Sequence, residues 1–340
     1  MKKFLFFGQV KLTNFFGPLV SIDEVLAKIS EKPNHMGFEV TNICNANCIF
    51  CGYQFLEREK TFLPMDLYKK AIDEFNAFGG GSIGFNPIVG DPLVDPHIVE
   101  RIEYARSKEN IHRIGLFTNG ILIKKIGAKF ILASGIDEIT ISIGGFDSKT
   151  YSRVFRVDRW NSVYQGVLDL LKENQLRNNK VNVCIALRSD IPIWKSLESS
   201  AYKALERYKF VLEFNIRSFD NWGNRINQEK LRGTMRLRKP PKKKETCSIL
   251  YRVPKILSDG NMTLCGCRDL NGDSELVLGN IKDKSILEMW RDPRVEKIRN
   301  GFYLSRYPKI CHDCSFYRDL SFFRREKLKF LLLAKDRQKL

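Results

Sequence analysis

The feature that most constrains the fold is a regular alternation of strand-like and helix-like segments. Six apolar, β-branched runs, at 38–43, 82–87, 113–118, 138–143, 182–188 and 210–217, are separated by amphipathic runs at 66–78, 97–108, 121–133, 161–173 and 193–208. Such alternation predicts βαβ units and a parallel sheet with helices outside it. The six units span about 185 residues, whereas a closed eight-unit barrel needs about 250. We therefore predict an α/β fold, an open partial (β/α)6 TIM-like barrel.

Three cysteines, Cys44, Cys48 and Cys51, follow the first predicted strand with CxxxCxxC spacing. No fourth Cys or His lies inside the same loop. Zinc sites usually take four ligands and fully protein-ligated [4Fe–4S] clusters take four cysteines, so three thiolates favour a cluster with one open iron. A structural zinc loop or a ferredoxin-like cluster is the alternative. Because α/β barrels place their chemistry on the loops after their strands, this loop is the predicted catalytic centre.

The cysteine pattern, with Phe50 before the third cysteine, resembles the signature of radical S-adenosylmethionine (SAM) enzymes. Motifs after the later strands resemble the same family in the same order, across residues 36–225. The resemblance implies a [4Fe–4S] cluster that binds SAM through its open iron. It also implies cofactor contacts from the strand ends, by Phe50, Tyr53, Gly90, Asp91, Pro92, Thr118, Asn119, Ser142 and Arg188.

Individual roles follow from the resemblance. The backbone of the Gly90–Pro92 turn would receive the methionyl amine, and Asp91 stands where the family usually has Glu. Arg188 would pair with the SAM carboxylate, for which a guanidinium fork is suited. Tyr53 would line the adenine, and Ser142 would contact the ribose or the carboxylate. The acidic residue that relatives often carry two positions after this serine is absent here.

A second group of cysteines lies towards the C-terminus. Cys247 and Cys265 bracket a predicted hairpin, and Cys311 and Cys314 form a CxxC pair. Four thiolates from a hairpin and a tight turn make a closed site for zinc or for a fully ligated [4Fe–4S] cluster. The spacing resembles the SPASM/twitch extension of the same family in its single-cluster form, which implies an auxiliary [4Fe–4S] cluster. Cys267 is then a spare neighbour.

These features predict five parts of the chain. A leader segment of residues 1–35 precedes the partial barrel of residues 36–226, and a basic connector of residues 227–246 follows it. A small α+β iron–sulfur domain of residues 247–320 comes next, with a helix at 285–300 after its hairpin. A basic amphipathic helix of residues 321–340 ends the chain.

The formal net charge of +18 must be balanced by an acidic partner or by solvation. Nucleic acid is the generic partner of a basic protein. However, the densest basic run, 236–244, lies in a connector with two prolines and without the interleaved aromatic residues of a base-stacking surface. A solvated linker explains that run most simply. A basic face would equally receive a small acidic electron donor, a flavodoxin or a ferredoxin, and nucleic acid is the weaker alternative.

Hydropathy predicts a cytoplasmic protein with no transmembrane segment. The apolar stretch near the N-terminus is shorter than the roughly 7–15 residues of a signal-peptide core. No apolar run approaches the roughly 20 residues that a membrane span needs.

The resemblance also implies a reaction. Reductive cleavage of SAM would give a 5′-deoxyadenosyl radical, which abstracts hydrogen from an unactivated carbon, and the auxiliary cluster would accept or relay an electron. We therefore expect a radical SAM oxidoreductase. Asp220, after the sixth predicted strand, is the predicted substrate contact or general base. Tyr151 and Arg153 are weaker catalytic candidates.

Substrate class is the most open prediction. Only 35 residues precede the cluster strand, fewer than the leader-binding domain that peptide maturases of this family often carry. This favours a small, carbohydrate-like metabolite. A peptide- or protein-modifying maturase is the alternative, and a nucleic-acid-modifying enzyme is a third, weaker one.

Overall fold

The computed structural model describes residues 20–214, 219–266 and 268–328. Most of the predicted leader segment, Cys267 and the end of the sixth predicted strand lie outside the described residues. The predicted C-terminal helix is described only in part, and residues 321–328 are helical.

The strands of the described residues form one sheet. They are β1 (His35–Phe38), β2 (Gly81–Phe85), β3 (Ile111–Thr118), β4 (Glu138–Ile143), β5 (Asn182–Leu187), β6 (Val211–Phe214), β7 (Lys255–Ile256), β8 (Asn261–Thr263) and β9 (Val277–Asn280). The strand order is β6-β5-β4-β3-β2-β1-β7-β8-β9. Strands β1 to β6 are parallel to their neighbours, as connections through helices require. The predicted α/β class with an open partial barrel is confirmed.

Helices connect the parallel strands and continue beyond them. They are α1 (Asp23–Glu31), α2 (Met65–Ala77), α3 (Ile98–Arg106), α4 (Ile123–Ile126), α5 (Ala128–Ala133), α6 (Ser148–Phe155), α7 (Trp160–Leu176), α8 (Ile193–Leu197), α9 (Ser200–Leu205), α10 (Ile249–Arg252), α11 (Ile286–Trp290) and α12 (Pro293–Gly301). Buried side chains from the first strand to the C-terminal helices, such as Phe38, Ile141 and Trp290, belong to one contiguous hydrophobic core. The barrel and the C-terminal residues therefore share their core.

The main differences from the predicted elements have local causes. The helix predicted over 121–133 is divided at Gly127, whose φ of 97° lies outside the helical region. The helix predicted over 285–300 is divided before Pro293, which cannot continue the backbone hydrogen bonds of α11. Helix α6 was not predicted. It begins where the Asp147 side chain accepts a hydrogen bond from the amide of Thr150, at 2.8 Å.

The C-terminal hairpin joins the barrel sheet directly. Strand β7 lies parallel to β1, with Gly37 opposite Lys255 and Phe38 opposite Ile256. Strands β8 and β9 continue the sheet in antiparallel orientation. Pairing with β7 therefore covers the edge of β1 that would otherwise be open.

A buried carboxylate fastens this junction. Glu39, directly after β1, is fully buried and forms an ion pair with Arg58, with 2.7 Å between Oε1 and Nη2. Its carboxylate also accepts hydrogen bonds from the Ser258 hydroxyl, at 3.2 Å, and from the Ile88 amide, at 3.1 Å. Arg58 in turn donates from Nε to the carbonyl of Leu270, at 3.0 Å. Burial raises the pKa of Glu39, and the neighbouring Arg58 charge opposes the rise.

In the described ranges, every helix is too short or too polar to cross a membrane.

Replacing Arg58 with Met is expected to lower the free energy of unfolding by about 3–5 kcal/mol, because an uncompensated carboxylate stays buried. The pKa of Glu39 is already raised in the folded protein and would rise further without its partner. The loss should therefore be smallest at low pH, where the carboxyl is protonated, and should grow as the pH rises through that pKa. Urea unfolding of the anaerobic protein, followed by circular dichroism at several pH values, measures it.

Arg225→Met is the matched control, because Arg225 lies 3.9 Å from Glu57 in a pair whose side chains are 40% and 74% exposed. An exposed pair of this kind contributes about 0–1 kcal/mol. Equal losses in the two variants, or a loss in Arg58→Met that does not change with pH, would show that Glu39 needs no counter-charge.

Candidate active site

The first group of cysteines lies on the loop between β1 and a 3-10 turn at Gly52–Phe55. Cys44, Cys48 and Cys51 are each half-buried and none forms a disulfide. Two amides of the loop donate to carbonyls at the C-terminal end of α6, with N–O distances of 3.0 and 3.1 Å. The loop therefore rests on α6 at the carboxyl edge of the parallel sheet, where the predicted centre was expected.

The three thiols lie close enough to influence one another. Burial raises the pKa of all three, that of Cys44 to about 12, and the charges of Cys51 and Cys44 raise that of Cys48 further. A bound metal has the opposite effect and lowers the pKa of these thiols, because a coordinating thiol is deprotonated. In the described part of the chain, no three His, Cys, Asp or Glu side chains converge on a single-ion site. Three thiols close together on one loop are the donor set of an iron–sulfur cluster with one open iron.

The turn after β2 is fastened to the end of β3 by the side chain of Asp91. Its buried carboxylate accepts hydrogen bonds from the Thr118 hydroxyl at 2.9 Å, the Asn119 amide at 2.6 Å and the Leu93 amide at 3.0 Å. Burial raises the pKa of Asp91 to about 6, and these hydrogen bonds oppose the rise. Gly90 has a φ of 111°, and a Cβ there would lie 2.6 Å from a backbone oxygen of the cysteine loop. Asp91 and Thr118 are therefore supports of this turn.

Two further predicted residues of the same region complete this edge. Pro92 begins a buried 3-10 turn at Pro92–Val94. The Asn119 side chain donates from Nδ2 to the Sγ atom of Cys44 at 3.7 Å and to Oδ1 of Asn45 at 2.7 Å. Hydrogen bonds to cluster sulfurs are one way in which proteins set reduction potentials. The structure thus brings the two turns and the cysteine loop together.

Tyr151 carries an unsatisfied polar group next to the cysteine loop. Its side chain is fully buried and its ring stacks on Phe155, with 5.0 Å between centroids. Burial raises the pKa of Tyr151, and the charges of Cys48 and Asp91 raise it further. Its hydroxyl has no hydrogen-bond partner within the described residues. Buried polar groups are normally paired. The Tyr151 hydroxyl is therefore available for a hydrogen bond with a bound ligand.

Arg188 and Ser142 lie at the ends of neighbouring strands. Arg188 follows β5 directly, and Ser142 is half-buried near the end of β4. Burial lowers the pKa of Arg188, and the charges of Glu213 and Cys48 oppose this. The guanidinium is therefore close enough to the cysteine loop to act on it.

The two predicted aromatic residues lie on different sides of the cysteine loop. The Phe50 ring packs against Phe219 and Phe155, with centroids 5.1 and 5.9 Å away. Tyr53 lines an open depression of about 540 Å³ together with Cys44. The Nζ atom of Lys60 lies 5.5 Å from the centroid of the Tyr53 ring.

Arg153 is engaged by another protein side chain. Its Nε and Nη2 atoms donate to the two carboxylate oxygens of Asp190, at 2.5 and 2.7 Å. A bidentate pair of this kind uses the planar fork that would otherwise bind a substrate. We assign Arg153 a structural role.

One carboxylate oxygen of Asp220 is bound by residues that were not predicted from the sequence. Its Oδ1 atom lies 2.8 Å from Nε of Arg268 and accepts from the Trp222 amide at 2.8 Å. Its Oδ2 atom is buried and has no hydrogen-bond partner in the described ranges. Arg268 is separated from Asp220 by many residues, so no local pattern reveals the pair. Its position directly after the cysteines of the hairpin was the available signal.

The second group of cysteines surrounds one cavity. Cys247, Cys265, Cys311 and Cys314 line it together with Phe316 and other apolar residues. Burial raises the pKa of Cys311, and the charges of Cys314 and Cys247 add to the rise. Four thiols around one mostly apolar cavity are the donor set of a fully protein-ligated cluster.

Two family models match the chain. The model of the radical SAM superfamily matches residues 38–194, and that of the SPASM iron–sulfur cluster-binding domain matches residues 247–315. The first brings a [4Fe–4S] cluster that binds SAM, and the second brings an auxiliary [4Fe–4S] cluster. Both cysteine groups fall inside the matched ranges.

Curated proteins with similar sequences include two enzymes named GTP 3′,8-cyclase. That of Thermodesulfovibrio yellowstonii is 28% identical over 159 residues, which is 45% of this chain and 47% of the relative. That of Lactiplantibacillus plantarum is 25% identical over 138 residues, or 39% and 40%. The chain therefore matches less than half the length of these relatives.

Solved structures with a similar fold include two radical SAM enzymes. BtrN in complex with AdoMet and 2-DOIA has a TM-score of 0.53 and 16% identity, and covers 80% of this chain and 87% of its own. Streptococcus suis SuiB bound to the precursor peptide SuiA has a TM-score of 0.58 and 15% identity, and covers 81% and 69%. At these identities the likeness is one of fold.

Single cysteine replacements should separate the two clusters. Since each cube holds four irons, Cys48→Ala and Cys314→Ala should each lower the iron content from about eight to about four per chain. Cys48→Ala should also abolish the change that SAM causes in the electron paramagnetic resonance (EPR) spectrum of the reduced protein, whereas Cys314→Ala should keep it. Iron analysis and EPR after anaerobic reconstitution measure both.

Cys184→Ala is the control, because Cys184 lies on β5 outside both groups. It should keep full iron content and the response to SAM. The assignment of ligands would be wrong if Cys184→Ala lost as much iron as the other two variants, or if Cys314→Ala lost the response to SAM.

Proposed function

We propose that this chain, which belongs to the radical SAM superfamily and carries a C-terminal SPASM domain, oxidises a small, polar, carbohydrate-like metabolite by two electrons at an unactivated carbon. The observation that carries the proposal is the single cavity lined by Cys247, Cys265, Cys311 and Cys314. Four protein ligands leave no iron open to a substrate. A cluster in that cavity is therefore suited to accept an electron from the substrate and not to bind the substrate.

When bound, the cofactors would supply the radical chemistry that removes a hydrogen atom from an unactivated carbon, and an acceptor for one further electron. Loss of the hydrogen atom, of one electron and of one proton together amounts to a two-electron oxidation, such as that of an alcohol to a ketone. The protein must hold the substrate, keep water out and accept that proton.

The residues proposed to hold SAM lie around the first cysteine loop. Cys44, Cys48 and Cys51 would bind three irons and leave the fourth open to SAM. The other proposed contacts are the backbone of residues 90–92 and the side chains of Phe50, Tyr53, Asn119, Ser142 and Arg188. Asp91 and Thr118 hold the turn through their mutual hydrogen bond at 2.9 Å. The Tyr151 hydroxyl, which is buried and has no partner among the described residues, is the proposed hydrogen-bond donor to the bound ligand.

Asp220 is the proposed substrate contact and general base. Its Oδ1 atom is held by Arg268 and by the Trp222 amide, which fixes the orientation of the carboxylate. Its Oδ2 atom is buried and unpaired among the described residues, so a substrate hydroxyl or amine would satisfy it. A polar metabolite with such groups meets this requirement.

A peptide or protein substrate is the second candidate. A surface cleft of about 550 Å³, lined in part by Trp222, Arg225 and Cys314, lies beside the second cysteine group and is open enough for an extended chain. The SuiB neighbour was solved with a precursor peptide and the BtrN neighbour with 2-DOIA. The proposed reductant of the first cluster is a small acidic flavodoxin or ferredoxin, since the chain carries a net charge of +18.

Anaerobic reconstitution with reductant and SAM tests the proposed activity. The loaded protein should release 5′-deoxyadenosine slowly on its own and faster with its substrate, and the substrate should lose two electrons per turnover. Polyhydroxylated metabolites, peptides and RNA are then compared for how much each raises the rate of 5′-deoxyadenosine release, which is measured by chromatography. Fully loaded protein that forms none would contradict the proposal, and acceleration by a peptide alone would favour the second candidate.

Asp220→Asn should lower substrate turnover by about 10²-fold or more, because a positioned base commonly contributes 10²–10⁴. SAM cleavage in the absence of substrate should persist, since that step does not use the carboxylate. The matched control is Asp259→Asn in the exposed hairpin turn, where Asp259 accepts from the Asn261 amide at 3.0 Å. Equal losses in both variants, or an unchanged turnover in Asp220→Asn, would remove Asp220 from the site.

A further inference from the structure

Arg268 lies between two aromatic rings and a carboxylate. Its guanidinium carbon is 4.4 Å from the centroid of the Trp222 ring and 4.2 Å from that of Phe316. Its Nε atom is 2.8 Å from Oδ1 of Asp220, and both side chains of this pair are largely buried. Because a weakly hydrated guanidinium stacks well on aromatic faces, this arrangement holds a fixed positive charge at the wall of the cleft beside Cys314.

One of the two rings is attached to the first cysteine loop. Trp222 donates from Nε1 to the carbonyl of Phe50 at 3.1 Å, one residue before Cys51. A Cβ at Gly52 would clash with the Trp222 ring, so the loop and the indole are in direct contact. Trp222 itself has a φ of 50°, which is rare for a bulky residue. The indole is therefore held against the cysteine loop in spite of an unfavourable backbone conformation.

The other ring belongs to the second cysteine group. Phe316 and Arg268 line the same cavity as the four thiols of that group. The backbone around Cys314 is tied to the segment that carries Trp222, because the Asn221 amide donates to the Ser315 hydroxyl at 3.0 Å. Arg268 thus spans the space between the two cysteine groups.

Arg268 lies close to a ligand of each group. It lines the same cavity as Cys314, and its guanidinium stacks on Trp222, whose ring contacts Gly52, the residue after Cys51. Asp220 accepts a hydrogen bond from the amide of the same Trp222. The cation and its partner carboxylate therefore lie between the two cluster sites.

We propose that Arg268 is a positioning residue that raises the reduction potentials of both clusters together. One-electron reduction adds a negative charge to a cluster, and a buried cation nearby stabilises that charge. The inference extends the proposed function, because the electron from the substrate must be taken up at one of these centres. It can be tested without substrate, so its failure is distinct from a failure of the proposed reaction.

The test is a potentiometric titration of the fully loaded protein, with dithionite as the electron source and the EPR signal of each cluster as the readout. Arg268→Gln should shift both midpoint potentials to lower values, whereas Arg268→Lys, which keeps the charge, should shift them much less. Arg225→Gln is the matched control. It removes a charge that lines the cleft beside Cys314 but is 40% exposed, and both potentials should stay unchanged.

Asp220→Asn provides an independent variant in case Arg268→Gln does not load its clusters. It removes the negative partner and keeps the cation, so both potentials should rise. The proposal is overturned if only one cluster responds to these changes, if Arg225→Gln shifts the potentials as much as Arg268→Gln, or if Asp220→Asn lowers them.

Discussion

A buried carboxylate needs hydrogen-bond donors or a counter-charge, and the partners of the Glu39 carboxylate come from distant parts of the chain. Arg58 pairs with it, the amide of Ile88 donates to it from the turn after β2, and the hydroxyl of Ser258 donates from the C-terminal hairpin. Desolvation of the carboxylate is repaid only while all of these parts are in place. The cysteine loop begins a few residues later, so its position follows from the position of this group.

The same logic recurs closer to the cysteine loop. Asp91 is a second buried carboxylate, and its donors come from the end of β3 and from its own turn. These acids satisfy backbone and side-chain donors within the protein. Tyr151 and Asp220 are different, because each keeps a buried polar atom that no described residue pairs. The proposed function gives both atoms a partner in the bound ligand.

Much of this arrangement could be predicted from the sequence. The parallel sheet and both cysteine groups follow from periodicity and spacing, which are local properties, and the turns after β2 and β3 were identified by their resemblance to family motifs. The ion pairs of Arg153 with Asp190 and of Asp220 with Arg268 could not be predicted, because each joins residues that only the fold brings together. Helix α6 was missed because its run is short, and the pairing of β7 with β1 because two-residue strands carry no pattern.

The pairing of β7 with β1 determines how the two cluster sites are related. Cys44 follows β1 and Cys265 follows β8 in one continuous sheet, in which β1 pairs with β7 and β7 with β8. A flexible linker would let the spacing between the sites vary with thermal motion, whereas adjacent strands keep a nearly constant separation of about 4.8 Å. Cys44 and Cys265 therefore cannot move apart along this edge of the sheet without breaking the backbone hydrogen bonds between β1 and β7.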